Sequence, residues 1–394
     1  MTILNSPRSN WKDVRLHEIA DLRGGYAFKS GDYRDVGVFI LRTLNIDADG
    51  GINRANAVFI NESRIDEFEN FALQTWDTLF VMVGATLGKC GLVRESDLPA
   101  LLNQNMWRIR ADRELVEPRF LYYVFSAASQ KLLSYASGAA RDFVRRDDYR
   151  NLSLKIPPLS EQRAIAEVLG ALDDKIESNH RKAALLRRLI GAIYEDQESQ
   201  ATEFEPLTNL AALTKGTEPG RDNCNEEKLG IPFIRVGDLN RDEVTLYTTS
   251  NECECADEDS VLVSFDGTPG RVATAMSGAF SSGIRRADPR NSDVSSGLLL
   301  AVLESASTQR TIAEYATGTT ILHAGAAVPH IRVPLLGQLQ IRELSVELEN
   351  LRRVIVASTR ETRSLQKLRK TLLPELLSGR LRVSDAEKIV EEAV

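Results

Sequence analysis

Apolar residues recur at alternating intervals of three and four along residues 165–193, and this heptad spacing restricts the possible fold more than any other feature. It predicts one long helix with a continuous apolar seam. Pro157 and Pro158 precede the seam and favour extended backbone just before the helix. Ser160 is the predicted N-cap, and Glu161 lies in the first turn, where the helix dipole favours negative charge. The seam residues are Ile165, Leu169, Leu172, Ile176, Asn179, Ala183, Leu186, Ile190 and Ile193.

The same spacing returns near the C-terminus. Pro374 is expected to kink or restart this second helix, and Gly379 to end it. Each helix would run about 36 residues, or roughly 54 Å at 1.5 Å per residue. The two could be independent core helices, but their length favours an antiparallel coiled coil in which Asn179 fixes the register. The second seam comprises Ile341, Leu344, Leu348, Leu351, Ile355, Ser358, Thr362 and Leu365, continued less regularly by Arg369, Leu372 and Leu376.

The chain also contains an internal repeat with a period near 180 residues. "LHEIADLRGG" (16–25) matches "LTNLAALTKG" (207–216), and "DTLFVMVGATLGKCG" (77–91) matches "DSVLVSFDGTPGRVA" (259–273). "SYASGAA" matches "EYATGTT", and "IPPLSEQRAI" matches "VPLLGQLQI". Each repeat contains short apolar strands and one late helix, predicted over residues 118–137 and 296–317. The duplication predicts a pseudo-twofold protein suited to two separated half-sites.

These patterns predict an α+β fold with two pseudo-repeated mixed α/β domains separated by two long helices that form an antiparallel coiled coil. The predicted boundaries are residues 1–157 for the first domain, 158–198 for the central spacer helix, 199–334 for the second domain and 335–394 for the distal spacer helix and tail.

The composition is that of a globular protein, with 43% hydrophobic and 27% charged residues. Without a long apolar run or an apolar N-terminal core, we expect neither a membrane span nor export. Cys90, Cys224, Cys253 and Cys255 form no CxxC pair, so reduced thiols in a cytoplasmic protein are predicted. The net charge of −7, concentrated in "ECECADED" (252–259), argues against a nucleic-acid partner unless that segment faces away from it.

Motifs for catalysis are missing from the sequence. It contains no GxxxxGK[ST] phosphate loop, no HExxH and no [DN]PP[YF] motif, and its four histidines are scattered. "GRDNCNEEK" (220–228) has a faint nuclease-like spacing, but a solvated acidic loop is the better interpretation. The chain is therefore predicted to be non-catalytic, with no metal site.

Candidate DNA-contacting residues lie in loops that match between the repeats. Glycine-rich loops allow close backbone approach, hydroxyl and cationic groups can contact bases or phosphates, and amides suit adenine edges. Each could equally be an ordinary turn or a solvated charge. The candidates are Arg42, Thr43, Asn45, Thr86, Lys89, Asn103, Gln104, Asn105, Arg141, Arg145, Arg146, Arg235, Asp238, Asn240, Thr268 and Arg271.

"IPPLSEQRAIAEVLGALDDKIE" and "LQKLRKTLLPELLSGRL" (365–381) resemble the two spacers of type I restriction-modification specificity subunits. "PFIRVGDLN" and the paired glycine loops are similar to the target-recognition domains of that family. The resemblance implies a subunit that reads a split target in double-stranded DNA and docks two methyltransferase subunits and restriction/translocase subunits. The partner subunits would use S-adenosylmethionine, ATP and Mg; this chain would hold no cofactor.

A second hypothesis comes from a different class of protein. A non-catalytic scaffold, in which a coiled coil joins two small α/β domains that bind other proteins, would also explain the repeat. The acidic segment favours this alternative.

Overall fold

The computed structural model of the protein describes residues 10–47, 49–138, 146–239, 241 and 243–392. Its helices are α1 (Leu16–Ile19), α2 (Pro118–Gly138), α3 (Arg146–Arg150), α4 (Leu159–Gln200), α5 (Ser296–Glu304), α6 (Ala306–Glu314), α7 (Gln338–Leu377) and α8 (Val383–Glu391).

Short strands make up the rest of the regular structure. They are β1 (Lys12–Arg15), β2 (Ala20–Gly24), β3 (Val38–Leu41), β4 (Val58–Ile60), β5 (Thr78–Val81), β6 (Cys90–Leu92), β7 (Ala100–Leu102), β8 (Met106–Ala111), β9 (Ser153–Ile156), β10 (Phe204–Pro206), β11 (Ala211–Lys215), β12 (Cys224–Asn225), β13 (Ile231–Ile234), β14 (Tyr247–Thr248), β15 (Cys255–Ala256), β16 (Val261–Ser264), β17 (Asp266–Gly267), β18 (Val272–Ala273), β19 (Gly278–Phe280), β20 (Ile284–Pro289), β21 (Leu322–His323) and β22 (Arg332–Pro334).

Two compact units divide the chain. The first comprises Met1–Asp174 and Lys367–Val394, and the second comprises Lys175–Gln366. Both cuts fall inside the long helices α4 and α7. The predicted boundaries at residues 157 and 334 instead follow the last strand of each globular part. The two descriptions differ because each long helix packs against globular residues for part of its length.

Sheet topology shows the internal repeat directly. The first unit has a four-stranded sheet β2-β8-β5-β6 and a three-stranded sheet β4-β3-β7, in which β3 and β7 are parallel. The second unit has β11-β20-β16-β18 and a five-stranded sheet β12-β14-β13-β19-β15, in which β13 and β19 are parallel. In each unit a first strand pairs with the last, β1 with β9 and β10 with β22, immediately before a long helix.

The long helices α4 and α7 bury the predicted seam. α4 has 42 residues and α7 has 40, so each is about 60 Å long. Ile165, Leu169, Leu172, Ile176, Asn179 and Ile190 are at most 2% exposed, and Ala183, Leu186 and Ile193 are half-buried. On α7 the buried seam residues are Leu344, Leu348, Ile355, Ser358, Thr362, Leu365, Leu372 and Leu376, while Ile341 and Leu351 are half-buried.

Polar contacts establish that α4 and α7 are antiparallel. In the second unit Glu361 accepts a hydrogen bond from Asn179 Nδ2 at 2.8 Å and pairs with Lys175 at 3.2 Å. In the first unit Arg369 donates to Asp173 Oδ1 at 2.6 Å. As the residue number increases along α7, the contacted residue number on α4 decreases, so the two helices run in opposite directions. The predicted α+β fold with an antiparallel coiled coil is confirmed.

The start of α4 departs from the prediction, whereas α7 ends just before Gly379, as predicted. Helix α4 begins at Leu159, so Ser160 is inside it; the carbonyl of Pro158 accepts from the Glu161 and Gln162 amides at 2.9 and 3.0 Å. α7 continues through Pro374 to Leu377, and Gly379 follows with φ of +71°.

The late helix predicted over residues 296–317 is two helices, α5 and α6. Ser305 has extended backbone, and its hydroxyl caps α6 by accepting from the Thr308 amide at 3.3 Å. Within the described residues, no helix is long and apolar enough to span a bilayer.

Candidate nucleic-acid interface

Several strand ends and their loops meet at one edge of the first unit. The loops that follow β3, β5 and β7 contain the candidate residues of this unit other than the basic run after α2. Backbone hydrogen bonds join these strand ends: Asn103 N to Leu41 O (3.2 Å), Tyr26 N to Leu102 O (2.9 Å), Gly25 N to Met106 O (3.1 Å) and Met82 N to Asn105 O (3.1 Å). Candidates that are far apart in sequence are therefore brought together, and we call this group of loops the first edge.

The turn after β3 contributes Arg42, Thr43 and Asn45. Asn45 is fully buried: its Oδ1 accepts from the Arg42 amide at 3.1 Å, and its Nδ2 donates to the Ala55 carbonyl at 3.2 Å. Asn45 therefore shapes the turn. Arg42 is half-buried and its guanidinium donates to the Asn56 carbonyl, while Thr43 is half-buried.

The glycine loop of the first edge, residues 84–89, follows β5. Thr86 is exposed, and Lys89 is half-buried with its ammonium on the Ile46 carbonyl, beside the turn after β3. Cys90 lies behind the loop, and burial raises the pKa of its thiol to about 11. This thiol therefore remains protonated and inert at neutral pH.

The predicted amide triplet follows β7. Gln104 and Asn105 are exposed, whereas Asn103 is only 6% exposed. Tyr26 lies beside them, paired with Asn103 in a parallel bridge. Tyr26 is 39% exposed as a whole residue, and its ring packs on three phenylalanines, Phe28, Phe68 and Phe71, at centroid distances of 5.0–5.2 Å.

The second unit contains a matching edge, the second edge, with the same backbone framework. Its hydrogen bonds are Ser281 N to Ile234 O (2.9 Å), Thr217 N to Phe280 O (3.1 Å), Gly216 N to Ile284 O (3.0 Å) and Phe265 N to Gly283 O (2.9 Å). Each bond corresponds to one of the four in the first edge. By this correspondence, Tyr26 is equivalent in position to Thr217, Gln104 to Ser282 and Asn105 to Gly283.

Candidates in the second edge repeat the first pattern. Asp238 is 1% exposed, and its Oδ2 accepts from the backbone amide and the guanidinium of Arg235 at 3.0 and 3.2 Å. Thr268 is exposed in the glycine loop. Arg271 folds back from that loop onto the Val236 carbonyl at 3.3 Å, as Lys89 does in the first edge.

Side chains on the two edges differ in chemistry. The second edge presents Glu218, which accepts from the amide and hydroxyl of Ser282, both at 2.8 Å, and Asp266, whose Oδ1 is 2.8 Å from His323 Nδ1. The first edge presents amides and a tyrosine. Carboxylates suit the cytosine amino group and amides suit adenine, so one framework can address two different base sequences.

The basic run predicted after α2 lies mostly outside the described residues. Arg141 and Arg145 fall there, as does Asn240 of the second edge. Arg146 is described and exposed, and it donates to the Leu22 carbonyl. In the described part of the chain, no group of three His, Cys, Asp or Glu side chains is placed to hold a metal ion.

The acidic segment 252–259 contacts the distal helix. Arg360 donates to Glu258 at 2.8 Å, and Arg352 donates to Asp259 at 3.0 Å. These two carboxylates of the segment are therefore paired within the second unit, which weakens the argument from net charge against DNA.

Two residues that the sequence analysis did not select are Gln130 and Gln309. Gln130 Nε2 donates to the Gly88 carbonyl at 2.8 Å, and Gln309 Nε2 donates to the Gly270 carbonyl at 2.9 Å. Each glutamine therefore donates to the carbonyl of the last glycine in its glycine loop. The signal available was the repeated "SQK" and "TQR", just before the "SYASGAA" and "EYATGTT" match.

Comparisons with known proteins agree with this arrangement. The family described as the type I restriction modification DNA specificity domain matches residues 8–188. The putative type I restriction enzyme MjaX specificity subunit of Methanocaldococcus jannaschii is 22% identical over 95% of this chain and 94% of its own length. The MjaVIII specificity subunit of the same organism is 26% identical over 44% of this chain and 42% of its own length.

A solved structure has the same fold. The S subunit of a type I restriction-modification system from M. genitalium superposes with a TM-score of 0.57 and 16% identity, covering 95% of this chain and 98% of that one. Together with the matched family and the full-length relative, this likeness does not favour an unrelated protein-binding scaffold. Residues 8–188 thus match the type I restriction modification DNA specificity domain, and nearly the whole chain is similar to a putative type I restriction enzyme specificity subunit.

Proposed function

We propose that the first and second edges each read one half of a split target in double-stranded DNA. The observation that carries this proposal is the single backbone framework built twice with different exposed side chains. Equal frameworks place loops equivalently against two stretches of duplex, and different side chains make the two half-sequences differ.

The chain supplies recognition, and its partners supply chemistry. Two methyltransferase subunits and restriction/translocase subunits would dock on it in the cytoplasm and use S-adenosylmethionine, ATP and Mg. The sequence contains no phosphate loop or methyltransferase motif, which supports a non-catalytic role. The long helices would fix the gap between the half-sequences.

Exposed residues are the ones proposed to contact DNA. In the first edge these are Thr86, Gln104, Asn105 and Tyr26; in the second edge they are Arg235, Thr268 and Glu218. The partly exposed Arg42, Lys89 and Arg271 contact backbone carbonyls in the free protein and would serve phosphates only after release. Asn45 and Asp238 would support the turns from within.

A domain exchange tests the proposal. Residues 1–155 are replaced by the first domain of another family member, and the chimaera is combined with the methyltransferase subunits of this system. Sequencing of methylated DNA should show one new half-sequence, with the other half and the gap retained.

The reciprocal exchange of residues 203–334 is the matched control and should change only the other half. Chimaeras that assemble and methylate the original target unchanged would rule out the two edges as readers.

A further inference from the structure

We propose that Gln130 and Gln309 are positioning residues that hold the two glycine loops and so set the fidelity with which each unit reads its own half-sequence. This inference rests on the proposed function. Each glutamine is located on a late helix of its own unit, α2 or α6, and reaches the loop from the side of the helix layer.

Both loops are held by their own backbone hydrogen bonds and, in addition, by side chains of the neighbouring helices. Gly88 and Gly270 have φ of +87° and +89°, and each donates one hydrogen bond back to its strand, to Val81 O at 3.0 Å and Ser264 O at 2.9 Å. A Cβ on Gly88 would lie 2.2 Å from Leu133 Cδ1, and one on Gly270 would lie 2.4 Å from Gln309 Oε1. Helix side chains therefore contact both loops closely.

Gln309 is the more constrained of the pair. Its Nε2 also donates to the Leu303 carbonyl at 2.7 Å, so it joins the glycine loop to the end of α5 as well as to α6. Among the described residues, Gln130 donates to Gly88 alone, and the residue is exposed. A larger effect is therefore expected from the loss of Gln309.

A second side-chain contact also holds each loop. Lys89 contacts the Ile46 carbonyl and Arg271 contacts the Val236 carbonyl, which joins each loop to the turn after its central strand. The glutamine contact and the cation contact together hold loop and turn as one surface. Removing the glutamine would leave the loop joined to its own strand and to the turn, without the contact to the helix.

Loss of the glutamine contact should change the discrimination between correct and mismatched base pairs more than it changes total DNA binding. A correct base pair gains from loop contacts only while the loop keeps its held conformation. A mismatched pair has already lost those contacts and is affected less. The ratio of correct to mismatched methylation should therefore fall, and only in the half that the altered unit reads.

The test uses the complete complex with its methyltransferase subunits. Gln130→Glu and Gln309→Glu keep the side-chain shape but remove the amide donor. Methylation rates are measured on the wild-type target and on duplexes with each single base changed in either half. Domain exchange first assigns each half to its unit.

We expect Gln130→Glu to lower discrimination in the first half about three- to tenfold, the range for one lost hydrogen bond, and Gln309→Glu, which loses two, to lower it further in the second half. Each variant is the control for the other. Gln130→Ala and Gln309→Ala remove the donor without adding a charge and should act alike, and alanine is well tolerated in a helix.

Unchanged discrimination in both halves, or equal loss in both halves from either variant, would overturn the positioning role. If the wild-type complex did not methylate a split target, the proposed function itself would be wrong, and this result would be known before the variants are compared.

Discussion

At the scale of single residues, Arg352 is the most tightly bound charge described on the distal helix. Its side chain is 2% exposed and donates to Glu349 at 2.7 and 2.9 Å, to Asp259 at 3.0 Å and to the Thr274 hydroxyl at 3.2 Å. Burial alone would raise the pKa of Glu349, but hydrogen bonds from Arg352 and the Gly297 amide lower it below its ordinary value. Asp259 and Thr274, which flank β16 and β18, are thus joined to α7 by a charge and by hydrogen bonds.

Replacing Arg352 by methionine should therefore destabilise the protein. The change keeps the aliphatic volume and leaves Glu349 partly uncompensated in a buried place. We expect a loss of about 3 kcal/mol in the free energy of unfolding, the lower end for breaking a buried ion pair. Urea unfolding at pH 7 measures it.

Arg353→Met is the matched control, because Arg353 also contacts Glu349, at 3.1 Å, but is 71% exposed. Its loss should cost less than about 1 kcal/mol. The Arg352 effect should also shrink in acid: a lowered carboxylate pKa contributes stability above the ordinary value, and this is lost as pH falls through the folded-state pKa. Equal losses from the two variants, or no acid dependence, would contradict this account.

At the scale of elements, the long helices were the most predictable part and the recognition edges the least. The seam could be predicted because a heptad spacing indicates which residues of a helix face a partner helix. The break at Ser305 was missed because the flanking segments remain helical in pattern. The edges depend on parallel pairing of β3 with β7 and β13 with β19, and contacts so distant in sequence leave no local signal. Asn45, for example, was predicted to contact DNA, but its side chain is fully buried.

Asn179 is expected to fix the register of α4 against α7 at some cost in stability. It is 1% exposed, and Glu361 is its partner. Asn179→Leu should raise the melting temperature by about 2–4 °C, the shift expected for roughly 1 kcal/mol. The assembled complex should then accept targets whose gap is one base pair longer or shorter, which methylation of a gap library would reveal.

Thr362→Val provides the comparison for that variant. Thr362 is also buried in the seam, and its hydroxyl has no hydrogen-bond partner among the described residues. Valine should stabilise the coiled coil without relaxing the gap. A strict gap in Asn179→Leu, or a relaxed one in Thr362→Val, would show that the register does not depend on the Asn179 contact.

At the scale of the whole molecule, duplication explains why a small set of elements can specify a long target. Each unit repeats a four-stranded sheet, a second sheet with one parallel strand pair, the same edge framework and the same glutamine-held loop. Recognition can therefore change in one half without redesign of the other. We propose that the long helices set the gap separately, so that the half-sequences and their spacing are independent.

Lengthening both long helices tests that independence most directly. Four residues are inserted after Asp174 and four after Gln366, where both helices pass between the compact units. The insertion adds about 6 Å along each helix, close to two base-pair steps of about 3.4 Å. The account predicts that the complex methylates the same two half-sequences with a gap longer by at most about two base pairs. Altered half-sequences, or an unchanged gap in an active complex, would contradict it.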